Sequence, residues 1–88
     1  MNIPNLTVVK VEPRPIYKIA ENITRDWKRV YFGAVPYLQA MKNLNSINDN
    51  YGLDNAKSIV TYFLANAQTW RGPIAKSIKK ELNLMLKG

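Results

Sequence analysis

The chain has 88 residues with neither Cys nor His, and its 13 Lys and Arg against 6 Asp and Glu leave a net charge of +7. One small domain fits that length, and 47% apolar against 22% charged residues is ordinary globular usage that excludes wholesale disorder. Without Cys or His, disulfides and thiolate or imidazole metal sites are excluded, and so are the commonest general base and the commonest nucleophile–base pairs.

The N-terminus has no basic run followed by an apolar segment, so no secretory signal is expected and the cytoplasm is the default location. Residues 1–14 read as an extended arm. Leu6-Thr7-Val8-Val9-Lys10-Val11 is β-branched and runs into Glu12-Pro13-Arg14-Pro15. A lone strand cannot satisfy its own backbone groups, so residues 6–11 need a partner. They lie on the helical domain, or they pair with another protomer or another protein by strand addition.

Four helices follow in chain order. Pro15 suits a first helical turn, and Ile16, Ile19, Ala20, Ile23, Trp27, Val30 and Tyr31 recur at intervals of three and four, which predicts a helix over 15–32. Its outer face offers Glu21–Arg25 and Asp26–Arg29 as local ion pairs. Gly33-Ala34-Val35-Pro36 then interrupts the pattern, Gly33 closing one helix in a left-handed conformation and Pro36 opening the next. One long helix kinked at the proline is the competing reading.

The second helix is expected over 36–51, with Tyr37, Leu38, Met41, Leu44, Ile47 and Tyr51 inward. Gly52 reads as its closing glycine, Leu53 as the accompanying hydrophobic contact, and Asp54 as the N-cap of the third helix. That helix, over 55–70, includes the uncharged run 58–70, and the apolar set of the helix is Ala56, Ile59, Val60, Phe63, Leu64, Ala67 and Trp70. It is too short to cross a membrane and suits a central core helix. Arg71-Gly72-Pro73 ends it. A fourth helix over 73–87 turns Ile74, Ala75, Ile78, Leu82, Met85 and Leu86 inward. The expected fold is all-α, a four-helix bundle-like domain over 15–88 with an extended N-terminal arm.

Three runs carry a resemblance: Asp26-Trp27-Lys28-Arg29-Val30-Tyr31-Phe32-Gly33-Ala34-Val35-Pro36-Tyr37-Leu38, Tyr62-Phe63-Leu64-Ala65-Asn66-Ala67, and Thr69-Trp70-Arg71-Gly72. Together, over roughly residues 16–84, they resemble small uncharacterised proteins of bacteriophages and prophages. The resemblance implies an accessory protein of a phage or mobile element acting inside a bacterial cell. It brings no activity with it.

The chemistry available is narrow. The acids Glu12, Glu21, Asp26, Asp49, Asp54 and Glu81 are scattered over different elements. Residues 49–54 lack the alternating acids and closing Glu of a calcium loop, and the four glycines stand apart, so no phosphate-cradling loop occurs. No enzyme activity, cofactor, metal or small-molecule substrate is expected. Two binding readings remain. Aromatics around the bend, Tyr31, Phe32 and Tyr37, with Trp70 and Arg71 at the end of the central helix, have the residue types of interface anchors. They point to a protein partner or self-association. Arg71, Lys76, Lys79, Lys80 and Lys87 form a basic set suited to nucleic-acid phosphates, with few side chains able to read bases.

Overall fold

A computed structural model describes residues 13–88, and the readings of residues 1–12, including the strand over 6–11, lie outside the described residues. Within 13–88 the chain forms helix α1 (Ile16–Asp26), a 3-10 turn (Phe32–Ala34), helix α2 (Val35–Met41), a hairpin of β1 (Asn50–Tyr51) and β2 (Asp54–Asn55), helix α3 (Ala56–Ala65) and helix α4 (Pro73–Lys87). The fold is therefore mostly helical, with a two-stranded hairpin that helical periodicity did not announce. α2 and α3 pack together, α1 lies against α2 and α4, and α4 closes on α3.

Each helix contributes one buried stripe. Ile16, Ile19, Ala20 and Ile23 come from α1, Leu38, Ala40 and Met41 from α2, Ile59, Val60 and Phe63 from α3, and Ala75, Ile78 and Leu82 from α4. Ile74, expected inward, is half exposed. The N-terminal end of α1 is docked through its backbone. The Ile16 and Tyr17 amides, which have no partner inside the helix, donate to the Asn45 and Leu44 carbonyls at 3.0 and 2.9 Å.

The boundaries differ from the sequence expectation in physically informative ways. α1 stops at Asp26 rather than 32, although no Gly or Pro lies between 16 and 32. Trp27 leaves the helix with extended geometry (φ −94°, ψ 94°) and is buried by stacking on Trp70, so tertiary packing sets the stop. Tyr31, expected inside, is 43% exposed. The two expected local ion pairs are not formed, since Arg14–Glu81 is the only ion pair among the described residues.

The break at 33–36 is real, and α1 and α2 are separate helices. Gly33, however, is not left-handed. It is needed for space: a Cβ there would lie 2.5 Å from the Tyr31 ring and 2.8 Å from the Asn66 side-chain oxygen.

α2 ends at Met41, ten residues short of the expected end. Of residues 43–50, six are Asn, Ser or Asp, whose side chains compete for local backbone groups and favour turns over helix. The Asp49 carboxylate accepts from the Asn45 and Ser46 amides at 2.8 and 3.0 Å, which fixes the turn. Leu44 is still buried, so the spacing was right about burial and wrong about conformation.

Gly52 is the first residue of the two-residue hairpin loop, with φ 63°, where hairpin turns require a positive φ. Leu53 is fully exposed and makes no helix-closing contact. The N-cap of α3 is Asn55, not Asp54: the Asn55 side chain accepts from the Ser58 amide at 2.8 Å. α3 ends at Ala65, and Ala67 and Trp70 are buried from successive turns instead of from a continuing helix. α4 matches its expected bounds, with Gly72 (φ 113°) before it and Pro73 in its first turn.

Candidate functional site

Two groups of aromatic side chains divide the molecule. The first is interior. Trp27 stacks on Trp70 with centroids 5.7 Å apart and planes 14° apart, and Phe63 meets both rings edge-on at 6.1 and 6.4 Å. Such pairs stabilise by about 0.5–1.5 kcal/mol beyond their area burial. The Trp70 indole N–H donates to the Asp26 carboxylate at 2.8 Å, which satisfies the ring's polar atom at the end of α1. Lys79 closes the other side, its ammonium donating to the Trp70 carbonyl at 2.6 Å and lying 5.8 Å from the ring centroid. Burial of that ammonium, with Arg71 adding like charge, lowers the Lys79 pKa from its ordinary value.

The second group is at the surface. Tyr31 and Phe32 contact each other with centroids 4.8 Å apart, and Phe32 is 79% exposed. Tyr37 on α2 lies against Tyr62 on α3 at 5.6 Å, with Tyr62 55% exposed. Asn66 connects the two pairs. Its side-chain oxygen and the Tyr31 ring flank the same side of Gly33, and its amide nitrogen donates to the Tyr62 carbonyl at 2.9 Å. Val35, 38% exposed, sits between Phe32 and Tyr37 in sequence. The segments 30–41 and 58–70 that build this face carry no charged residue. The exposed aromatics thus stand on uncharged segments of an otherwise basic protein.

Of the sequence-proposed contact residues, Tyr31 and Phe32 meet each other, and Tyr37 meets Tyr62. Trp70 joins neither pair. It is 2% exposed and locked by Trp27, Asp26 and Lys79, so it supports the fold and offers no surface to a partner. Arg71 is exposed but lies beside Lys79 and leans on the Gln68 carbonyl. Tyr62 was missed. The signal was present, because position 62 falls outside the apolar register of its helix, and an aromatic there must face outward.

The basic set also changes. Lys76, Lys80 and Lys87 are exposed on α4, whereas Lys79 is held against Trp70. Glu81, the single acid of α4, is gripped by Arg14 through two bonds, Nε to Oε2 at 3.0 Å and Nη2 to Oε1 at 2.8 Å. Arg14 Nη1 also donates to Asn22 Oδ1 at 2.6 Å, so one guanidinium ties the first described residues to α1 and α4. The bond to Glu81 raises the Arg14 pKa further above its ordinary value.

A groove of about 900 Å³ lies between this ion pair, residues 45–48 and the end of α4. Its Arg14 and Glu81 charges are engaged with each other, and Asn45, Ser46 and Asn48 add uncharged polar side chains to its lining. Among protein-family models, curated proteins and solved structures, none matches this chain. The reading of function therefore rests on the two surfaces themselves. No helix among the described residues is long and apolar enough to cross a membrane.

Proposed function

We propose that this protein is a non-enzymatic helical interaction module that docks on a protein partner, or on a second copy of itself, through Phe32, Tyr31, Tyr62 and Tyr37. The observation that carries the reading is the exposure of Tyr31, Phe32 and Tyr62, with half-buried Tyr37 against Tyr62, on two segments that carry no charged residue. Tyr and Phe supply large, rigid contact area at low entropy cost, and aromatic anchors dominate the energetics of interfaces. The interior Trp27–Phe63–Trp70 cluster already holds the fold, so the surface pairs are free for a contact role. The resemblance of 26–38, 62–67 and 69–72 to phage and prophage proteins supports a place among mobile-element accessory proteins inside a bacterial cell.

Site-specific photo-crosslinking tests this. A photoreactive phenylalanine analogue at position 32 or 62, in cells producing the protein, is expected to yield one discrete adduct, and mass spectrometry then distinguishes self from partner. The same analogue at exposed position 69 is expected to yield none. Equal labelling at all three positions, or no adduct at 32 and 62, rules the reading out.

A further inference from the structure

A second surface, remote in chemistry from the aromatic face, lies on α4. Lys76, Lys80, Asn83 and Lys87 are spaced i, i+4, i+7 and i+11, so they fall on one face of the helix. All four are exposed, while Ala75, Ile78 and Leu82 turn into the core on the opposite side. At 1.5 Å rise per residue, Lys76 and Lys80 stand about 6 Å apart along the axis and the stripe runs about 16 Å.

Two structural details make this stripe purely cationic. Glu81, the acid that would neutralise it, is drawn to the other flank and paired bidentately with Arg14. Lys79, which sequence alone would add to the set, is withdrawn into contact with Trp70. What remains is three flexible ammonium groups with one amide between them and no acid on their face.

We propose that this face of α4 contacts the phosphate backbone of duplex nucleic acid, through Lys76, Lys80 and Lys87. Lysines without arginine or a base-reading network make contacts that position without specifying sequence. The net charge of +7 adds long-range attraction. A membrane-lying helix would instead place its lysines beside an exposed apolar face. Here Ala75, Ile78 and Leu82 of α4 are buried, and its exposed Ile74 and Leu84 lie ten residues apart and form no continuous apolar face. The proposal stands independently of the aromatic contact surface.

The test is a salt titration of binding to a random-sequence duplex, comparing wild type with K76Q/K80Q/K87Q and with K18Q/K28Q/K42Q. The second variant removes the same charge from exposed positions elsewhere. Each phosphate contact contributes about 0.9 to the slope of log affinity against log salt, so three contribute about 2.7. They alone make affinity fall about 40-fold between about 50 and 200 mM salt. The stripe variant is expected to lose that share of the slope, and the control variant to keep it. Circular dichroism shows whether both remain folded, as substitution of exposed residues predicts. Absence of wild-type binding at about 50 mM salt, where cationic binding is strongest, overturns the proposal. So does an equal loss in both variants, which would reduce the effect to net charge. Stripe-dependent binding to phosphatidylglycerol vesicles without binding to duplex assigns the face to membranes and overturns it as well.

Discussion

The interior cluster of Trp27, Phe63 and Trp70 and the exterior pairs Tyr31–Phe32 and Tyr37–Tyr62 use similar residues to opposite ends. Phe63 and Tyr62 are neighbours on one helix, yet Phe63 is fully buried and Tyr62 is 55% exposed. In the interior, the Trp70 indole N–H finds Asp26 and the Trp70 carbonyl finds Lys79. The exterior rings contact one another and leave their faces open. Aromatic content alone therefore says nothing about role here. Register separates the buried rings from the exposed ones.

The largest effect that tests this division is expected at Trp70. Trp70→Ala removes a fully buried ring and leaves Trp27 and Phe63 facing a cavity, a change of about 3–5 kcal/mol. Domains of this kind have only about 5–15 kcal/mol in total, so the urea midpoint should drop by at least about a fifth. Trp70→Phe keeps an aromatic ring but loses the bond to the exposed Asp26 carboxylate and shrinks the fill, costing about 1–3 kcal/mol. A Trp70→Ala protein within about 1 kcal/mol of wild type, the cost of a surface change or a single lost cap, would end the assignment of this ring to the scaffold.

Gly33 lies at the border between the two clusters and gives the next effect. A methyl group at this position would meet the Tyr31 ring at 2.5 Å and Asn66 Oδ1 at 2.8 Å. Both are ends of movable side chains, so Gly33→Ala should cost about 1 kcal/mol through local repacking without unfolding. Its signature is displacement of Tyr31, visible as changed ring-current shifts at Tyr31 and Phe32 with those near Trp27 unmoved. Spreading of the shifts into the interior cluster would show that the two groups are coupled.

At the exterior, Phe32→Ser with Tyr62→Ser should change stability by no more than about 0.5 kcal/mol, since surface substitutions of this kind are near neutral. Cross-linking from a photoreactive analogue placed instead at the exposed position 35 should nonetheless disappear. Light scattering on the same variant addresses self-association: a wild-type oligomer that becomes a monomer places the second copy on this face. A loss of stability as large as that of Trp70→Ala would mean the exterior rings are part of the scaffold after all.

How far the sequence carried this picture depended on which physical cue was dominant at each place. α4 was legible because Gly72, Pro73 and an unbroken apolar stripe all agree. The buried set was legible from spacing even where the conformation was not, as at Leu44, Ala67 and Trp70. Residues 42–55 were misread because Leu44, Ile47 and Tyr51 mimic helical spacing, while the Asn, Ser and Asp side chains between them favour turns and a hairpin. The premature end of α1 has no local cue, because a stack between residues 27 and 70 sets it. Trp70 was placed among contact residues for its position beside a turn, and only tertiary structure shows Asp26 and Lys79 closing around it.

The smallest expected effect concerns the cation that leans on the interior cluster. The Lys79 ammonium titrates below its ordinary value, chiefly because it is partly buried against Trp70 and secondarily because Arg71 is near. Between its folded and unfolded values the unfolded chain holds more protons at this site, so stability rises with pH across that window. Below the folded value the penalty of the charged form is present in full. Arg71→Gln removes the like charge and should move the Lys79 titration upward toward the ordinary range, which narrows the window and flattens the rise. Carbon-13 shifts of the Lys79 side chain report the titration directly. The direction is what discriminates: an unchanged Lys79 titration in Arg71→Gln would mean that burial alone disfavours the charge, and that Arg71 points wholly to solvent. An upward shift shows Arg71 and Lys79 sharing one field at the junction of α4 with the preceding turn, where the interior cluster meets the basic face.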